Sequence, residues 1–159
     1  MSKLVFCFVI LAVASGALAY SAGAPESVCD DMTPKHPVDP QKSQSPYKAT
    51  VGKTAVKPGE TVDIKISGPS LKGVLVQVRA ANKAVGSFVI PDDDRHLKAI
   101  NCHGNKASAA THKNSTDKKD LLLKWKAPSA PGKYTVYLTA AQDGGVFWVA
   151  KPGQTINVN

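Results

Sequence analysis

Val62-Asp63-Ile64-Lys65-Ile66 alternates strictly, so an extended chain puts three β-branched residues on one face and Asp63 and Lys65 on the other. This is the signature of a half-buried strand. The same period returns on both sides of it. Val74, Val76, Val78 and Ala80 alternate with Leu75, Gln77 and Arg79; Leu121, Leu123 and Trp125 alternate with Leu122, Lys124 and Lys126; and Tyr134, Val136, Leu138 and Ala140 form a fourth stripe. Lys57-Pro58-Gly59-Glu60, Gly68-Pro69, Pro131-Gly132 and Asp143-Gly144-Gly145 supply turn residues between the runs. Strand and turn repeat without an amphipathic helix. The chain is predicted to be all-β, an antiparallel sandwich with one face of each sheet buried.

Gly132-Lys133-Tyr134 refines this, because Gly-x-Tyr entering a strand matches the tyrosine corner of immunoglobulin-like sandwiches, where the phenol bonds back to nearby backbone. An antibody domain has a cysteine two residues later, where this chain has Val136. Trp125 and Trp148, both in strand patterns, are read as core aromatics, with carbohydrate stacking as the sharper alternative.

Ahead of the first strand, Cys29 to Tyr47 has neither period and contains Pro34, Pro37, Pro40 and Pro46. Prolines remove backbone donors and push the preceding residues out of the helical region. This segment is expected to run extended over a neighbouring surface, anchored by its cysteine.

Residues 1–19 form a predicted signal peptide: Lys3, an apolar run from Leu4 to Val13, and the small-x-small site Ala17-Leu18-Ala19. The run is short for a membrane anchor, no second long apolar stretch follows, and Thr155-Ile156-Asn157-Val158-Asn159 lacks a lipid-anchor tail. The expected product is a single extracellular domain, 20–159, with no integral membrane segment. Its two remaining cysteines, Cys29 and Cys102, permit one intramolecular bridge, with an intermolecular disulfide or reactive thiol as alternatives. Closing so long a loop would stabilise the fold by about 4 kcal/mol in the chain-entropy model.

Without Lys3, 19 basic and 12 acidic side chains leave a net charge of +7, which favours anionic partners. Only Arg79 and Arg95 could make bidentate contacts to phosphates or bases, and no aromatic-interleaved basic motif is present, so nucleic acid is not an expected partner.

Cys29-x-x-Met32-x-Pro34-x-His36, then Gln41, Ser45-Pro46-Tyr47, Gly86-x-Phe88, Cys102, Thr111-His112, Trp125-x-Ala127-Pro128, Gly132 and Phe147-Trp148 together resemble the reeler, or reelin N-terminal, domain. The resemblance spans roughly Ala24 to Val158. It is strongest to the small secreted insect defence proteins related to the nodulation factor noduler. It implies an immunoglobulin-like sandwich and an innate-immune role, with antimicrobial action or binding to microbial surface polymers. Reelin and the spondins carry the domain in extracellular matrix. Ferric-chelate reductase relatives add membrane and haem-binding parts not found in this sequence, so the resemblance implies no reductase activity.

Chemistry is sparse among the residues themselves. His36, His96, His103 and His112 lack zinc-site spacing, and Asp92-Asp93-Asp94 lacks the pattern of a calcium loop. There is no Gly-x-Ser-x-Gly elbow. No catalytic residue, metal or cofactor is assigned, and the chain is read as a binding module rather than an enzyme. Asn114-Ser115-Thr116 is a glycosylation sequon. Around it Lys106, Lys113, Lys118, Lys119, Lys124 and Lys126 form either a solvated edge that deters aggregation or an anion-binding patch for lipopolysaccharide phosphates or teichoic acids. The expected function is secreted innate-immune defence by binding lipopolysaccharide, teichoic acid or glucan. The alternative is a matrix or protein-interaction module without a microbial ligand.

Overall fold

The computed structural model describes residues 20–159; the signal-peptide expectation lies outside the described residues. After a single 3-10 turn at Glu26–Val28 come eleven strands: β1 (Lys48–Val51), β2 (Ala55–Val56), β3 (Thr61–Ser67), β4 (Gly73–Ala80), β5 (Lys83–Ala84), β6 (Ser87–Val89), β7 (Leu97–Cys102), β8 (Asn105–His112), β9 (Leu121–Lys126), β10 (Gly132–Ala141) and β11 (Phe147–Val158). They make a four-stranded sheet in the order β1-β3-β9-β6 and a larger sheet in the order β2-β11-β10-β4-β8-β7, with β5 beside β4. The pairing of β2 with β11 is parallel; the other ladders are antiparallel.

In the smaller sheet the alternation translates directly into two faces. Ala49, Ile66 and Leu121 form one cross-strand row, Val51, Ile64 and Leu123 the next, and Val62, Trp125 and Phe88 a third. These rows face the inner stripe of the larger sheet, Val74, Val76, Val78, Val136, Leu138 and Ile156, in one continuous core. Burying side chains of this size contributes about 1.5–3 kcal/mol each, which makes the inner rows the main source of stability. The opposite face carries Asp63, Lys65, Lys124 and Lys126 in solvent, as the pattern predicts.

Two sequence marks are realised at the edges of this core. The Tyr134 hydroxyl donates to the Ala130 carbonyl at 2.7 Å, as a tyrosine corner does. Gly86 has a φ of +67°, and a Cβ there would lie 2.5 Å from the Trp125 ring, so only glycine lets the chain pass this close to the buried indole.

The larger sheet departs from the expected one-sided burial. Both faces of β4 are covered: Leu75, Gln77 and Arg79 are buried along with the valines. Their cover is the N-terminal segment. Val28, Cys29 and Met32 pack on Leu75, Ala84, Cys102 and Ala109 in a second, smaller core. The molecule therefore has three layers, two sheets and a strap, and the strap enters β1 directly after Tyr47.

Candidate functional site

A strap without a ladder needs partners for its backbone, and the outer face of the larger sheet supplies them from side chains. Gln77 Nε2 donates to the Cys29 carbonyl at 3.1 Å. Arg79 Nη2 donates to the same carbonyl and to that of Asp30, while its Nε donates to Gln77 Oε1 at 2.7 Å. The Arg79 guanidinium also lies over the Tyr137 ring, 5.5 Å from its centroid. Burial pushes its pKa down from the usual value, with Tyr137, Asp30 and Asp31 acting in the other direction. Further along, Thr139 Oγ1 donates to the Met32 carbonyl at 2.9 Å, and Thr111 Oγ1 accepts from the Ala24 N–H at 3.0 Å. A disulfide joins Cys29 to Cys102 with a Cα–Cα distance of 5.5 Å, fixing the strap to the end of β7.

Three of the four histidines also serve the strap. His103 stands in a two-residue β7–β8 turn in which it and Gly104 have φ values of +55° and +77°. This conformation aims its ring at the strap, where Nε2 meets Asp30 Oδ1 at 2.9 Å while Nδ1 accepts from the Ala84 N–H. His112, at the end of β8, places Nε2 2.9 Å from the Tyr20 carbonyl and Nδ1 3.2 Å from the Val74 N–H. That pairing suits a neutral ring with its proton on Nε2. Burial lowers the His112 pKa, opposed by the carbonyls of Val74, 3.2 Å from Nδ1, and of Tyr20 and aided by the Lys118 and Lys98 charges. His36 sits edge-on to Phe147 with ring centroids 4.9 Å apart. The fourth, His96, lies in the acidic turn, where Asp94 Oδ1 accepts from the N–H groups of His96 and Leu97. Among the described residues no group of three or more His, Cys, Asp or Glu side chains could hold a metal ion.

Between the strap and the sheet lies a cavity of about 150 Å³. Ala24, Val28, Met32 and Pro34 wall it from the strap, and Val74, Leu75, Thr139 and Ala141 from the sheet. Lys72, Ser115, Asp143 and Gly144 are its exposed lining residues on the sheet side. Sequence reasoning did not reveal this hollow, nor Gln77, Arg79, Thr111 and Thr139 as strap partners. The one available signal was the polar pair Gln77 and Arg79 in an otherwise apolar strand.

The six lysines around the sequon do not form one patch. Lys106 and Lys126 flank a shallow groove with Gly86 and Asn105, and Lys124 on the same strand as Lys126 pairs with Asp63 at 3.0 Å. Lys113 is at the far end of β8 from Lys106, about 23 Å away at the rise of an extended strand. Lys119 is exposed near the start of β9. Lys118 is only 3% exposed, and its ammonium donates to the carbonyls of Lys72, Asn114 and Thr116. Burial lowers its pKa, with Asp117 acting in the other direction. It is a structural donor rather than a surface charge. Asn114 is half-buried, with Nδ2 donating to the Arg95 carbonyl at 2.6 Å and Oδ1 accepting from Thr116 Oγ1. Both tryptophans are core residues, Trp125 bonded to the Val85 carbonyl and Trp148 to that of Ser43, so neither presents a free ring to a sugar.

Comparison with known proteins agrees with this architecture. A family model described as the reeler domain matches residues 27–159. The chain is 38% identical over 162 residues to "Putative defense protein Hdd11" of Hyphantria cunea, covering 97% of this chain and 96% of that protein. It is 35% identical over 148 residues to "Putative defense protein 2" of Antheraea mylitta, covering 88% and 91%. Among solved structures, the Reelin-N domain of F-spondin superposes with a TM-score of 0.62 at 15% identity, over 76% of this chain and 91% of that one, a likeness of fold. With the family model spanning the strap and both sheets, the chain belongs to the reeler domain family.

Proposed function

We propose that the protein is a secreted, non-enzymatic defence protein that binds microbial surface polymers. The observation that carries this reading is the nearly end-to-end match, at 38% identity, with a protein named for defence. The charge distribution supports it. Lys48, Lys106, Lys119 and Lys126 are exposed, and no ion pair engages them among the described residues. Such charges recruit phosphate-bearing polymers such as lipopolysaccharide or teichoic acid by long-range attraction. In this reading residues 1–19 direct secretion, and Asn114 carries a glycan at the edge of the cavity mouth formed by Ser115.

Co-sedimentation of the secreted protein with bacteria and with fungal cell walls, at low and high salt, tests this. Sedimentation above a control protein of equal net charge, weakening with salt, is the expected result. No sedimentation above that control overturns direct recognition and favours a matrix or protein-interaction module.

A further inference from the structure

The cavity beneath the strap is the one feature that the polymer-binding reading leaves unused. Its deep walls are hydrocarbon: Val28, Met32, Val74 and Leu75 are all at most 3% exposed. An apolar hollow of this volume accommodates a hydrophobic group of about six carbons. Its mouth is not apolar. Lys72 is exposed there without an ion pair among the described residues, and its carbonyl accepts from the buried Lys118 ammonium. Two carboxylates oppose these cations. Asp143 already accepts from the N–H groups of Gly145 and Val146, and Asp117 is exposed beside Lys118. One wall residue also lacks a partner: His36 Nδ1 is buried with no hydrogen bond among the described residues.

We propose that this cavity binds the hydrocarbon end of an anionic amphiphile, a fatty acyl chain whose negatively charged head lies against Lys72. Chain and head are both needed. The hydrocarbon is driven into the hollow by removal of apolar surface from water, while the Lys72 charge favours an anionic head. The inference stands apart from polymer binding, since a protein that fails to sediment with microbes could still take up an acyl chain, and the reverse.

Met32 provides a direct reporter, being the sole methionine of residues 20–159 and a fully buried wall of the cavity. The secreted protein, labelled with ¹³C at the methionine methyl, is titrated with decanoate, acetate and decyltrimethylammonium. Decanoate is expected to shift the Met32 methyl resonance saturably, and acetate to leave it unmoved. Reversing the head charge should weaken binding roughly tenfold, the scale of a solvent-screened charge contact changing sign. Lys72→Gln should narrow the difference between the two heads without removing binding of the chain. Vesicles of an anionic phospholipid form a second arm: a shift with vesicles identifies membrane lipid as a source, and a shift with decanoate alone identifies the free amphiphile. An unmoved Met32 resonance in both arms, or equal affinity for both head charges, overturns the proposal.

Discussion

Arg79→Met tests whether side chains of the larger sheet hold the strap. The substitution keeps a long side chain over the Tyr137 ring but removes the donors to the Cys29 and Asp30 carbonyls and to Gln77 Oε1. The Cys29 carbonyl keeps its bond from Gln77, and the Asp30 carbonyl is within reach of water because that residue is exposed. Gln77, fully buried, is left with an orphaned oxygen, so the loss has two parts: charge-assisted hydrogen bonds and the desolvation of one stranded acceptor. The cost of burying the guanidinium is recovered in the variant, and the net destabilisation should be about 2–4 kcal/mol. Urea unfolding of the oxidised protein reads this as a lower midpoint at unchanged slope. Adding Gln77→Leu to Arg79→Met removes the stranded amide oxygen but also the remaining side-chain donor to the buried Cys29 carbonyl, so the double variant exchanges one stranded acceptor for another and should not regain the lost stability. If Arg79→Met lies within about 0.5 kcal/mol of wild type, the range of ordinary surface changes, the side-chain clamp is not what secures the strap.

Two further outcomes follow from the same layer. Replacing both Cys29 and Cys102 with serine should destabilise the domain by about 4 kcal/mol, from the closure of a loop spanning 73 positions, and should speed hydrogen exchange in the strap before the sheets; a melting temperature equal to that of the oxidised wild type would refute the clasp. For His112, burial lowers the folded-state pKa below the ordinary 6.5, so the neutral ring's contribution is complete above about pH 6.5 and is lost as pH falls through the lower folded value. Melting temperature should decline from pH 7 toward 5 more steeply in wild type than in His112→Gln, and equal slopes would show that this ring is not the titrating group.

The parts of this fold legible in the sequence are those whose period and cover coincide. In β3 and β9 the alternation states which residues share a face, and water covers the other face, so Asp63, Lys65 and Lys124 are where the pattern puts them. In β4 the alternation is equally regular, yet the face bearing Gln77 and Arg79 is buried. Periodicity assigns residues to a face but says nothing of what lies upon it. The strap that covers this face has no period of its own, and only its cysteine announced where it would attach. The cavity was illegible for a related reason. Its walls come from residues 20–36, 72–75, 112–115 and 139–144, and alanine, glycine and methionine carry no chemical mark that would link those stretches.

The lysines show the opposite error, closeness in sequence taken for closeness in space. Lys106 and Lys113 are separated by the length of β8, whereas Lys106 and Lys126, twenty positions apart, share a groove. Lys118 diverges furthest from the solvated edge that its neighbours suggested. An isolated bridge pairs it with Leu71, which turns the loop from Asn114 to Thr116 back over Lys72 and leaves three carbonyls converging where few N–H groups can reach. Lysine meets that need, because an ammonium offers three donors on a flexible stem. One of the three carbonyls belongs to Lys72, the exposed basic residue that lines the cavity. A residue that reads in sequence as a surface charge is thus committed to the backbone of its own loop, and by holding the Lys72 carbonyl it ties the fold of this loop to the position of the basic residue proposed to meet the anionic head.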